Sequence, residues 1–147
     1  PPRSTQGVSS AASDVYKRQL KILTRRYHMS VTRIEKTTGS GPKMSRCVVK
    51  GDMVYVAGLT ATDRSADVAG QTQQILDKID GYLAEAGTDK SKLLQANLWI
   101  TNMDNFAAMN AVWNAWVDPE NPPVRACVRA DLAVPELLVE IMVTAYK

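Results

Sequence analysis

At 147 residues and 45% hydrophobic content the chain can bury one core and is too short for two. No apolar run approaches the ~20 residues of a membrane-spanning helix and no secretory apolar stretch opens the sequence, so the expectation is a cytoplasmic protein with no membrane partner. The formal charge of +3 comes from residues 1–28, which hold six Lys or Arg and one Asp; from Met29 onward twelve bases face fourteen acids, and that net charge of −2 argues against a nucleic-acid partner.

Residues 1–28 mix Ser, Ala and basic residues around one small apolar cluster, Leu20, Ile22 and Leu23, and are expected to be a disordered or artefactual extension. The stretch SSAASDVYKRQ within them resembles translated sequencing-adapter DNA, which would make Met29 the true start; a basic targeting peptide is the rival reading. The domain is expected over residues 29–147. Val31 to Thr37 and Arg46 to Val49 alternate as strands, and the turn signal Gly51-Asp52 leads into a third strand, Met53 to Gly58.

From Ala69 to Ala86 the apolar residues Ile75, Leu76, Ile79, Tyr82, Leu83 and Ala86 follow helical spacing, and Gly87 is placed to end the helix. Leu93 to Ile100 reads as a strand. Asn102 to Asp104 offer N-caps for a second helix carrying Phe106, Met109, Val112, Trp113 and Trp116. After a proline-rich loop, Val124 to Ala130 and Leu138 to Ala145 are the last strands, separated by a turn near Pro135. The order β-β-β-α-β-α-β-β, with one apolar stripe per helix, predicts an α+β sandwich: a sheet with both helices on one face.

Chemistry is constrained by what the domain lacks. His28 is the only histidine, so a Ser-His-Asp triad or a His-ligated metal centre cannot be built. Cys47 and Cys127 have no Cys-x-x-Cys spacing, and reduced thiols are the default. No metal or cofactor is expected.

Alternation along the strand after the proline loop sends Val124, Ala126, Val128 and Ala130 to one face, assigned to the helix-covered core, and Arg125, Cys127 and Arg129 to the other. The strand is expected to be central. On the last strand, Val139, Ile141 and Val143 share one face and Leu138, Glu140, Met142 and Thr144 the other. If these two strands pair, Arg125 and Glu140 lie near each other on the non-helical face, as a neutralising salt bridge or as a functional pair.

The run GDMVYVAG (Gly51 to Gly58), the helix ending in LAEAG, the segment MDNFAAMNAVW, the strand PVRACV and the strand LVEI together resemble the reactive intermediate deaminase (Rid) family over about Thr32 to Lys147. The resemblance implies a chorismate-mutase-like fold: a six-stranded mixed β-sheet with two α-helices packed on one face, closing into a trimeric barrel. The non-helical faces would point inward, with ligand sites between subunits of a homotrimer. Position by position it implies that Arg125 holds a substrate carboxylate, Glu140 orients water, and Asn110, Cys127 and Gly58 line the pocket. Where the family carries Gly-Pro-Tyr-Ser-Gln, this chain has Pro42-Lys43-Met44-Ser45-Arg46, so Met44 replaces the pocket tyrosine; Leu59 replaces a common glutamine.

Two functions are expected to compete. One is cofactor-free hydrolysis of 2-imino or 2-enamino acids to 2-keto acids and ammonia, with Arg125 and Glu140 as the catalytic pair. An imine needs only a positioned water, a proton-accepting group and a charge partner for its carboxylate. The other is a non-catalytic module that holds a keto acid in the same trimeric clefts, a reading favoured by Met44, which cannot donate a tyrosine's hydrogen bond. Cys127 reads as a small buried thiol, and Trp113 and Trp116 as core and interface filler.

Overall fold

The computed structural model describes residues 13–19 and 30–147, which fall into two units divided after Ser30. In the first unit residues 13–19 are helical and exposed, an element the sequence reading did not anticipate; the expectation of disorder for the rest of 1–28 lies outside the described residues. The second unit holds strands β1 (Val31–Lys36), β2 (Ser45–Lys50) and β3 (Met53–Leu59), helix α1 (Val68–Ala86), β4 (Leu93–Ile100), helix α2 (Phe106–Trp116), β5 (Val124–Arg129) and β6 (Val139–Tyr146). Single 3-10 turns precede β4 and α2. The element order is the one read from the sequence.

All six strands join one mixed sheet in the order β1-β2-β3-β6-β4-β5. Every neighbouring pair is antiparallel except β4 and β5, which run parallel because α2 carries the chain across between them. β6 inserts between β3 and β4, so the C-terminal strand is central. The strand that bears Arg125 is an edge strand, not the central one expected, and β4 separates it from β6; the anticipated pairing of the two final strands does not occur. Local sequence carries no record of which strand a late segment will enter.

The core lies between the sheet and the helices. Ile75, Leu76, Ile79 and Leu83 of α1 and Met109, Trp113 and Trp116 of α2 meet Val54 and Val56 of β3, Leu98 and Ile100 of β4, and Val139, Ile141 and Val143 of β6. Phe106, expected on the apolar stripe of α2, is exposed. Asp67 caps the start of α1 by accepting from the Gly70 N–H, and Gly87 ends it at φ 84°, with the Gly87 and Thr88 N–H groups closing on Ala84 and Leu83.

Two polar residues are fully buried among the described residues, Gln71 and Thr72, and the Thr72 hydroxyl donates to the Val68 carbonyl within its own helix. Gln71 is fully buried in the first turn of α1, four residues before Ile75 on the same stripe. The two N–H groups of its amide are shared among the carbonyls of Arg64, Ala66 and Glu136, all within 3.2 Å of the nitrogen, and its oxygen accepts from the Leu138 N–H at 2.9 Å. The helix start is thereby tied to the segment that enters β6. Gln71→Ala is expected to cost about 2–3 kcal/mol, because it orphans buried backbone groups. Urea unfolding checks this; a variant as stable as the parent would mean that water replaces the amide.

Candidate active site

The two faces of β5 are the reverse of the sequence expectation. Val124 is 70% and Val128 50% exposed, whereas Arg125 and Cys127 are half-buried on the helix side, Cys127 packed against the core. Pairing carries the same alternation through the sheet: Ala96, Arg125 and Val143 share a row, as do Leu98, Cys127 and Ile141. Alternation groups residues by face but does not say which face meets the helices, and on an edge strand the small apolar residues are not obliged to be the buried set.

Under α2, Arg125 is held by three groups. Its Nη2 donates to Asn110 Oδ1 at 2.6 Å and lies 3.4 Å from Met109 Sδ, and the guanidinium carbon sits 4.9 Å from the Trp113 ring centroid. Met109 and Trp113 are i and i+4 on one helical stripe, with Asn110 beside it. The sequence singled out Asn110 but read Trp113 as filler; the signal for a stacking role was the parallel crossover itself, which lays α2 over the strand it leads to.

What Arg125 lacks is an anion. Its Nε is buried without a hydrogen-bond partner, and among the described residues no carboxylate lies within ion-pairing distance. Burial lowers the Arg125 pKa from its ordinary value, opposed by Cys127, yet a guanidinium remains cationic at neutral pH. A shallow cavity of about 200 Å³ opens beside it, lined by Gln95, Ala96, Asn97, Val124, Arg125 and Ala126. Burial pushes the Cys127 thiol up more than Arg125 pulls it down, so it stays protonated at neutral pH and is a poor nucleophile.

Glu140 stands elsewhere. On β6 it alternates with the buried Val139 and Ile141 and faces the open side of the sheet, level with Trp99 on β4 and Val128 on β5. Its carboxylate fills the space a side chain on Gly58 would take: a Cβ added there would lie 2.0 Å from Glu140 Oε1. Gly58 falls at the register shift between Val56 and Leu59, where β3 bulges against β6. Glu140 makes no hydrogen bond or ion pair among the described residues, and burial raises its carboxyl above the ordinary range. Met44 is exposed at the entry to β2, near the opposite end of the sheet from β5.

A single chain therefore brings Arg125, Asn110 and Cys127 together, and separately Gly58 and Glu140. It does not bring the two groups to one point, and the expected nearness of Arg125 and Glu140 on one face is corrected: they occupy opposite faces, with β4 between their strands.

Comparison with known proteins bears on this arrangement. Residues 39–147 match the family model described as Endoribonuclease L-PSP. The chain belongs to that family. It is 43% identical over 115 residues to a RutC family protein of Haemophilus ducreyi, covering 78% of this chain and 95% of that one. It is 34% identical over 117 residues to the RutC family protein YoaB of Escherichia coli, covering 80% and 98%. A crystal structure of a YjgF family member from Neisseria meningitidis superposes with a TM-score of 0.75 at 38% identity, over 82% of this chain and 97% of that one. These are the relatives among which the Rid resemblance places the chain, and the six-stranded sheet with its helix layer is the fold they share.

Two measurements test the geometry. Gly58→Ala is expected to destabilise the native chain, and that cost should shrink by about 1 kcal/mol in a Glu140→Ala background, where the colliding carboxylate is gone; additive effects in urea unfolding would contradict the contact. Because the folded state raises the Glu140 pKa, native Glu140 binds its proton more tightly than in the unfolded chain, so its contribution to stability falls as pH rises through that range. Glu140→Gln should accordingly gain stability relative to the parent between acid and neutral pH, read from denaturation midpoints at each pH.

Proposed function

We propose that the protein hydrolyses 2-imino acids, the tautomers of 2-enamino acids, to 2-keto acids and ammonia, without a cofactor. The observation that carries this reading is the half-buried guanidinium of Arg125, stacked on Trp113, steered by Asn110 and left without a carboxylate. A planar fork of N–H donors fixed in this way suits a planar carboxylate in two parallel hydrogen bonds. In the reaction, water adds to the imine carbon as the imine nitrogen takes up a proton, giving a carbinolamine. Collapse of that adduct expels ammonia and leaves the ketone. Glu140, a stronger base than an exposed carboxylate because burial raises its pKa, takes a proton from the attacking water and passes it to the imine nitrogen; it then relays the carbinolamine hydroxyl proton to the same nitrogen as ammonia leaves.

Arg125 and Glu140 act together in this proposal through assembly. The chain works as a homotrimer in which the Arg125 group of one subunit meets the Glu140 and Gly58 group, and Met44, of another. The open sheet face supports this: Val124, Val128, Tyr55 and Met142 are exposed there, an apolar surface that favours burial against another copy. The two unpaired thiols are in keeping with a cytoplasmic location. No described helix is long and apolar enough to cross a membrane. The family model's name speaks of an endoribonuclease, but the acidic balance of residues 29–147 gives RNA little to hold.

Met44 favours a second reading, a module that binds keto acids without turning anything over, because thioether carbon and sulfur cannot supply a tyrosine hydroxyl's hydrogen bond. Release of ammonia and keto acid from enzymatically generated 2-imino acids separates the two. Acceleration by the native chain and a loss of at least about a hundredfold in Arg125→Ala, with the trimer intact by sedimentation, are expected for the deaminase. Thermal stabilisation by keto acids with no acceleration would establish the binding module instead.

A further inference from the structure

A larger cavity lies away from Arg125, where α1 crosses the β2-β3 side of the sheet. It measures about 450 Å³ and is walled by Arg46, Arg64, Lys78, Tyr82 and Glu35, with the main chain of Leu59 to Thr62 along one side. That is within the size range of small-molecule sites. Three cations face one carboxylate, a net charge of +2 on the walls.

The single carboxylate is already committed. Glu35 is the one described residue other than glycine with a left-handed backbone, φ 46°, and its carboxylate accepts from the Tyr82 hydroxyl on α1 and lies 3.9 Å from Arg46 Nε. Tyr82 is pushed up to about 12 by burial and by Glu35, and so keeps its proton as the donor. Lys78 donates one hydrogen bond to the Thr60 carbonyl at 2.7 Å, which aims its ammonium at the 59–62 wall and leaves two N–H groups over. Burial and the like charge of Arg46 both lower the Lys78 pKa, with Glu35 opposing them. Arg64 makes no ion pair among the described residues. Like charges collected around a partly desolvated cavity repel one another, and an incoming anion would relieve all three at once.

We propose that this cavity is a binding site for a small dianion of the phosphate or phosphate-monoester class, separate from the Arg125 site. Two excess positive charges match a dianion, and two guanidinium forks with an ammonium offer N–H donors for the three terminal oxygens of a phosphate group. The surface guanidinium of Arg64 makes the first capture, and Lys78 and Arg46 hold the oxygens deeper in.

The test is a thermal unfolding titration of the full chain with sodium phosphate at pH 7.5, with sodium chloride at matched ionic strength as the reference. A saturable rise in Tm above the chloride reference is expected, retained in Arg125→Ala and lost in both Arg64→Gln and Lys78→Gln. Arg64 is an exposed surface residue, so its variant keeps the test valid should Lys78→Gln destabilise the 59–62 wall. No rise above chloride would overturn the proposal. So would a rise that both pocket variants retain, or one lost only in Arg125→Ala, which would assign phosphate to the carboxylate site.

Discussion

One buried amide holds the arrangement on which the rest depends. Gln71 sits in the apolar stripe of α1 and spends its hydrogen-bonding capacity on backbone groups alone, its two N–H shared among three carbonyls before α1 and β6 and its oxygen accepting from the Leu138 N–H. Unpaired, each of those groups would be costly in so dry a place. Paired, they lock the start of α1 to the entry of β6, and β6 is the strand that divides β3 from β4. The position of Glu140, two residues after Leu138, is set by the same clamp.

From that central strand follows the separation that governs the candidate site. β6 carries Glu140 to the open face against Gly58, whereas β5, two places away at the sheet edge, turns Arg125 under α2. The cation has a stacking ring and a steering amide but no anion, and the acid is raised by burial with no hydrogen bond to stabilise its charge. Both are expensive states for isolated side chains. Under the proposed trimer each is resolved by what enters the cleft: the substrate carboxylate for Arg125, a water and its proton for Glu140.

The two cationic centres also differ in kind. Arg125 is a single guanidinium over an indole and steered by one amide, a geometry suited to one flat anion. The cavity beside α1 gathers three cations around a committed carboxylate, an arrangement in which net charge outweighs shape. If both proposals hold, the chain separates a monocarboxylate from a dianion by placing them at two different cationic centres.

Much of this was legible in the amino-acid order. Helical spacing from Ile75 to Ala86, Gly87 as a stop, the Gly51-Asp52 turn and the alternation of every strand are local properties, set by the period of apolar residues and by backbone freedom at single positions, and they gave the element order and the helix-on-sheet class. The motif residues Arg125, Asn110, Cys127, Gly58 and Glu140 were equally visible. Gln71 could have been found too, since its four-residue offset from Ile75 puts an amide on a buried stripe. Sheet order, the face each strand turns to the helices, and the stacking of Arg125 on Trp113 were decided only in the tertiary structure. Alternation has two equivalent assignments, and the choice between them is made by neighbours distant in sequence: β4 and α2 for Arg125, β3 and the Gln71 clamp for Glu140.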